Sequence, residues 1–162
     1  MKSTRLALMS GLAALLLVTI FGCANESALV NATKSRNAKI METLLNQGAD
    51  PNQSEWGGAA ALHVAAANNS PELIKLLVRR GADVNAKNGF GETPLILLID
   101  RSYGDSLNTL KYLLDNVKYL IEHGADVGAS SIFGNTALAA AASKGNAKIV
   151  NLLLEHGASP DK

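Results

Sequence analysis

Three histidines and a single cysteine are the side chains of this 162-residue sequence best suited to neutral-pH proton transfer, soft-metal ligation or thiol chemistry. His123 and His156 stand 33 residues apart, each directly before a glycine. Two imidazoles sharing one zinc need both rings within ~2.1 Å of the ion and two further ligands. Equivalent positions on neighbouring helices lie about 8 to 10 Å apart. At a helix C-terminus a histidine is already favoured by the macrodipole, which accounts for both without a metal. No nucleophile elbow, phosphate-cradling loop or His-x-x-x-His pair occurs, and no serine stands beside a candidate base. The expectation is a chain that is not an enzyme and takes no cofactor, metal or small-molecule substrate.

The elements that position these residues follow a ruler. Gly-Ala-Asp recurs at Gly48, Gly81 and Gly124 and returns as Gly-Ala-Ser at Gly157, in steps of 33, 43 and 33 residues. Before each glycine lies a Leu-rich run, and in Leu73, Ile74, Leu76, Leu77 and in Ile149, Val150, Leu152, Leu153 the apolar residues fall at helical spacing. The glycine ends each helix, because a residue without Cβ takes the left-handed conformation cheaply. Gly91-Glu92-Thr93-Pro94-Leu95 opens a preceding helix, and Gly134-Asn135-Thr136-Ala137-Leu138 repeats that opening; Leu62, His63, Ala65 and Ala66 match it after Ala60-Ala61. This period and these motifs resemble the ankyrin repeat. The resemblance implies an all-α repeat solenoid of helix-turn-helix units joined by β-hairpin loops, in repeats of about 26–52 (partial), 53–87, 88–129 and 130–162. It also implies that His63 is a hydrogen-bonding bracket for neighbouring backbone. The first repeat begins on polar residues that suit an N-terminal cap. The final helix keeps the Leu-rich composition of the internal ones.

The N-terminus has a different logic. Lys2 and Arg5 precede an apolar run from Leu6 to Phe21, the layout of a secretory signal sequence. The run ends in Ile20-Phe21-Gly22-Cys23, which resembles the lipobox of bacterial lipoproteins and implies cleavage after residue 22 and lipidation of Cys23, with 23–25 as a short tether. An ordinary cleaved signal peptide and an uncleaved anchor are the alternatives, the latter disfavoured because the run is shorter than the roughly 20 apolar residues of a spanning helix. Ala24, rather than Asp, after the cysteine resembles outer-membrane lipoproteins. The expected location is therefore the cell envelope, lipid-anchored at the outer membrane and facing the periplasm.

Without residues 1–22 the chain keeps 13 basic and 14 acidic side chains, which with no Lys/Arg run makes nucleic acid a poor partner. Two departures from regularity point to function. The step from Gly81 to Gly124 is ten residues long beyond the period, and the stripe Leu107, Leu110, Leu113, Leu114, Val117, Leu120, Ile121 predicts that the second helix of the third repeat is extended backwards, with Gly104-Asp105-Ser106 as loop and cap. Ten helical residues would project about 15 Å. The other departure is the placement of aromatics: Trp56, Phe90 and Phe133 fall in the hairpins, and Tyr103, Tyr112 and Tyr119 in or beside the insertion. Large aromatics on exposed turns are the material of binding hot spots, so Trp56, Phe90, Phe133, Tyr103 and Tyr112 are the candidate protein-binding residues, with Tyr119 expected to be buried. The function expected is a non-enzymatic scaffold that binds an unknown partner protein through its concave groove and hairpin tips. An inhibitor or immunity-type protein and a self-associating solenoid are the alternatives, with the chain itself a monomer or weak homo-oligomer.

Overall fold

A computed structural model of the chain describes residues 28–102 and 107–160. Cys23 and the leader, Tyr103 and the expected loop and cap at 104–106 lie outside the described residues. Among these residues there are eight helices and no strand run: α1 (28–34), α2 (Ala38–Asn46), α3 (Ala61–Ala67), α4 (Pro71–Arg79), α5 (Pro94–Asp100), α6 (Leu107–Glu122), α7 (Ala137–Ser143) and α8 (Ala147–Glu155). They pack in two layers, the first helices α3, α5 and α7 against one another and the second helices α2, α4, α6 and α8 behind them. The expected hairpins are reduced to the single bridges Ser54–Ala60 and Ser130–Thr136 and, in the middle repeat, a bond from Asn88 N–H to Glu92 C=O of 3.1 Å. The arms are too short, and their tips too rich in glycine, for a longer ladder.

Each local signal has a visible cause. Thr93 and Thr136 cap α5 and α7 by accepting from Ile96 N–H and Ala139 N–H. Asn37 and Asn146 cap α2 and α8 in the same way. At the other end of the second helices the glycine takes φ of +86° to +89°, and a paired closure follows it: Ala49 N–H donates to Leu44 C=O and Gly48 N–H to Leu45 C=O. Any Cβ at that φ would be strained.

The core is a continuous seam. Ala65, Ala66, Ile74, Leu77, Leu98, Leu120, Ala141, Ile149 and Leu153 are all fully buried. Alanines on α3 and α7 let the inner helices approach closely, whereas α5 places Leu98 and Ile99 where α3 has Ala65 and Ala66. The greater volume of α5 is matched by α6. That helix runs 16 described residues against nine for α2, α4 and α8, so at least seven of the ten inserted residues are helical. Over the described residues the overhang is about 10 Å. Leu113, Val117 and Leu120 of its stripe are buried, Leu114 is half-buried and Leu110 is 40% exposed.

A second, polar seam runs along the turns after the helix-ending glycines. The Asn52 amide donates to Gly81 C=O (3.0 Å) and accepts from Asp83 N–H (2.7 Å), and Asn85 repeats both bonds one repeat on, to Gly124 C=O (2.8 Å) and from Asp126 N–H (2.7 Å). In the third turn the same place holds Gly128, which has no side chain to reach Gly157 C=O. Gly128 is not among the positive-φ glycines of the described residues, so an asparagine fits its backbone. Gly128→Asn is therefore expected to stabilise the fold by about 1 kcal/mol, from an added hydrogen bond to Gly157 C=O and the lost chain freedom of glycine. A midpoint of thermal unfolding raised by several degrees checks it, and an unchanged or lowered midpoint contradicts it.

Candidate functional site

The three tips that join the repeats are held edge to edge by backbone alone. Gly57 C=O accepts from Gly89 N–H (2.7 Å), and Phe90 C=O accepts from Ile132 N–H (3.0 Å). A Cβ on Gly58 would lie 2.9 Å from Gly89 N, and one on Gly89 2.8 Å from Gly57 O, so no larger residue fits between the first two tips. Because the backbones fill that seam, the bulky side chains of the tips turn outward. Asn88 fixes the middle tip, its Oδ1 accepting from Phe90 N–H and Glu92 N–H, and Ser131 Oγ holds the last by accepting from Phe133 N–H and Asn135 N–H. The first tip has Glu55 instead, which pairs with Lys34 of α1 at 2.7 Å.

This scaffold presents Trp56 fully exposed, Phe90 57% exposed and Phe133 72% exposed, with the two phenylalanine rings 6.4 Å apart and tilted by 31°. The tips do not fold their aromatics back over themselves. Ile132, 67% exposed, completes the strip. Sequence reasoning missed it. The signal was present, because Ile132 and Gly89 share the register of Trp56, while Phe133 and Phe90 share that of Gly57; Trp56 is thus one residue out of step with the phenylalanines. Tyr112, 52% exposed, lies on the α6 overhang at the opposite end of the repeats, apart from this strip. Tyr119 is half-buried against the core, its ring 4.0 Å from that of His123 and with the Lys75 ammonium 5.8 Å from its centroid.

The histidines serve the backbone. His123 Nδ1 and His156 Nδ1 lie 2.7 Å and 2.8 Å from the carbonyls of Tyr119 and Leu152 in their own helices. Among the described residues no group of three His, Cys, Asp or Glu is placed to hold a metal. His63 is the bracket the motif implies: Nδ1 accepts from Ala60 N–H (3.1 Å), and Nε2–H is shared between Ala86 C=O (3.0 Å) and Glu92 C=O (3.2 Å). It takes up the cap donor of a helix whose N-cap, Ala60, has no hydroxyl. Where Thr93 and Thr136 cap, Ile96 and Ala139 stand in its place. One buried amide was not anticipated: Asn116 of α6 donates from Nδ2 to Asn69 Oδ1 (2.7 Å), tying the overhung helix to the α3–α4 turn.

A family model described as ankyrin repeats (3 copies) matches residues 5–88, 29–117 and 62–162. The chain is 34% identical over 82 residues to the B-cell lymphoma 3 protein homolog of Mus musculus, covering 51% of this chain and 18% of that protein. It is 33% identical over 85 residues to Protein phosphatase 1 regulatory subunit 27 of Homo sapiens, covering 52% of this chain and 54% of that one. Protein fem-1 homolog A of Bos taurus is 35% identical over 63 residues, 39% of this chain and 10% of its own length. The chain therefore spans at most about half the length of these relatives.

Burial holds His63 below the usual imidazole range, against the opposing pull of its carbonyl partners. The unfolded chain takes up a proton near pH 6.5 while the folded one resists it, so between those two values stability rises with pH and is lost as pH falls. Urea unfolding at pH 8 and at pH 5.5 is expected to show this loss. His63→Gln should flatten that window at a cost of about 1–3 kcal/mol at pH 8, from the disturbed hydrogen bonds. An equal slope in both proteins contradicts the assignment.

Proposed function

The chain belongs to the ankyrin-repeat family, and from that premise we propose that it is a non-enzymatic module that binds a partner protein through its hairpin tips and the adjoining concave groove. The observation that carries this reading is the exposed strip of Trp56, Phe90, Ile132 and Phe133 on tips whose backbone is locked. Aromatic side chains on a rigid frame lose little conformational entropy when covered, which is what makes them anchors. One of the relatives is by its name a regulatory subunit, in keeping with a repeat domain that acts on another protein.

The setting proposed for this module is the bacterial cell envelope. Ile20-Phe21-Gly22-Cys23 supports lipidation at Cys23 and an outer-membrane anchor, since multiple acyl chains on one residue give stable membrane attachment where a single chain does not. No described helix is long and apolar enough to cross a membrane. An anchored module of this kind is suited to scaffolding, or to inhibiting an enzyme or toxin that enters the periplasm. Self-association has its own support in Ile132, Phe133 and Leu154, all exposed on the last repeat.

Capture of partners from solubilised envelopes is the deciding experiment. Changing Trp56, Phe90 and Phe133 together to Ala should weaken the captured partner by about a hundredfold or more, as expected for loss of several anchors. An unaltered set of bound proteins would remove the strip from consideration. Mass by light scattering that rises with concentration, and reverts on Leu154→Asp, would favour self-association instead. For the anchor, Cys23→Ala is expected to release the protein into the soluble fraction or to block its processing; unchanged membrane fractionation counts against lipidation.

A further inference from the structure

The array has two ends, and each leaves open what the repeats between them close. Eight residues before the helix-ending glycines stand Ile40, Leu73, Asn116 and Ile149. The last three are buried, whereas Ile40 is 51% exposed. Ile149 is covered although no described repeat follows it, and Asn116 Nδ2 reaches Asn69 in the repeat before its own. The cover at this position therefore comes from the preceding repeat, and no described repeat precedes Ile40. Three residues before the same glycines stand Leu45, Val78, Ile121 and Leu154. Leu45 is buried in the first repeat, Val78 and Ile121 are half-buried, and Leu154 in the last is 44% exposed. Here the cover comes from the repeat that follows. The tips repeat the pattern: Gly89 N–H and Ile132 N–H donate to Gly57 C=O and Phe90 C=O. In the same registers Trp56 N–H has no acceptor and Phe133 C=O no donor among the described residues.

We infer that the last repeat of one chain stacks on the first repeat of a second copy, as each repeat stacks on the next within the chain. Leu154 then packs on α2 of the incoming copy, whose Ile40 meets the α7–α8 turn, and Phe133 C=O accepts from Trp56 N–H. Within the chain Arg80 pairs with Glu42 of the repeat before it at 3.6 Å. Between copies the same places hold Gln47 and Asn151, an uncharged pair able to hydrogen-bond. The contact is weak, because Asn31 and Ser35 of the first repeat are polar and exposed and Lys39 is brought towards Lys148. The two surfaces differ, so the contact is heterologous, and a stack of this kind does not close at the dimer. This rests on the self-association reading above and adds to it the surface that the last repeat meets.

Light scattering on the full chain tests it with Ile40→Asp and Leu154→Asp, both at exposed positions, their helical content checked by circular dichroism. The unaltered chain is expected to gain mass steadily from micromolar to millimolar concentration and to pass the dimer. Each variant alone should stay a monomer. An equimolar mixture of the two should form a dimer and nothing larger, because one copy keeps an intact last repeat and the other an intact first one. If Leu154→Asp restores the monomer but Ile40→Asp does not, self-association stands and the head-to-tail mode fails. A mixture that stays monomeric, or growth that neither substitution affects, also overturns the inference. A monomer at every concentration overturns it together with the self-association reading.

Discussion

No repeat in this chain can bury its own apolar face, and the rest of the structure follows from that. The first helices run seven residues and the second helices other than α6 nine, below the length at which isolated helices persist in water. What holds them is contact with the unit on either side, so the helix-ending glycines, the locked tips and the asparagine seam all serve to fix the spacing at which neighbours meet. A rigid spacing in turn delivers Phe90 and Phe133 to the same edge. Surface and core are thus set by one repeat distance.

The insertion shows how such an array absorbs an irregularity. Ten extra residues entered between the two helices of the third repeat, and the neighbours on both sides continue unaltered. The outer turns extend past the neighbouring repeats, and the space beside them is a groove bounded by α6 and the α7–α8 turn.

Much of this was legible in the sequence because glycine and threonine report local backbone. The Gly-Ala-Asp steps located every second helix, and Thr-Pro-Leu located the first helix of the third repeat, with Thr136-Ala137-Leu138 doing the same for the fourth. His63 was readable as a bracket through its motif alone. The backward extension of α6 was legible in its unbroken stripe of leucines. Ile132 was overlooked since an aliphatic residue in a turn carries no signal until registers are compared. The Asn52 and Asn85 clamps could have been found, as each follows its glycine by four residues, but only the stacked geometry explains what they grip.

Gly128 interrupts that row of clamps at the junction with the last repeat, the one that presents Ile132 and Phe133. Apolar contact and the Phe90–Ile132 backbone bond at the tips join the final helix pair to the solenoid, and no asparagine stands at this junction in the place of Asn52 and Asn85. Local opening in a repeat array begins at its weaker interfaces, and the break in the row of clamps loosens this junction relative to the two before it. On the reading proposed above, a partner seated on Phe133 would also tighten the unit it binds, turning part of its binding energy into order in the last repeat. Recognition at that edge would then be coupled to the folding of the element that performs it.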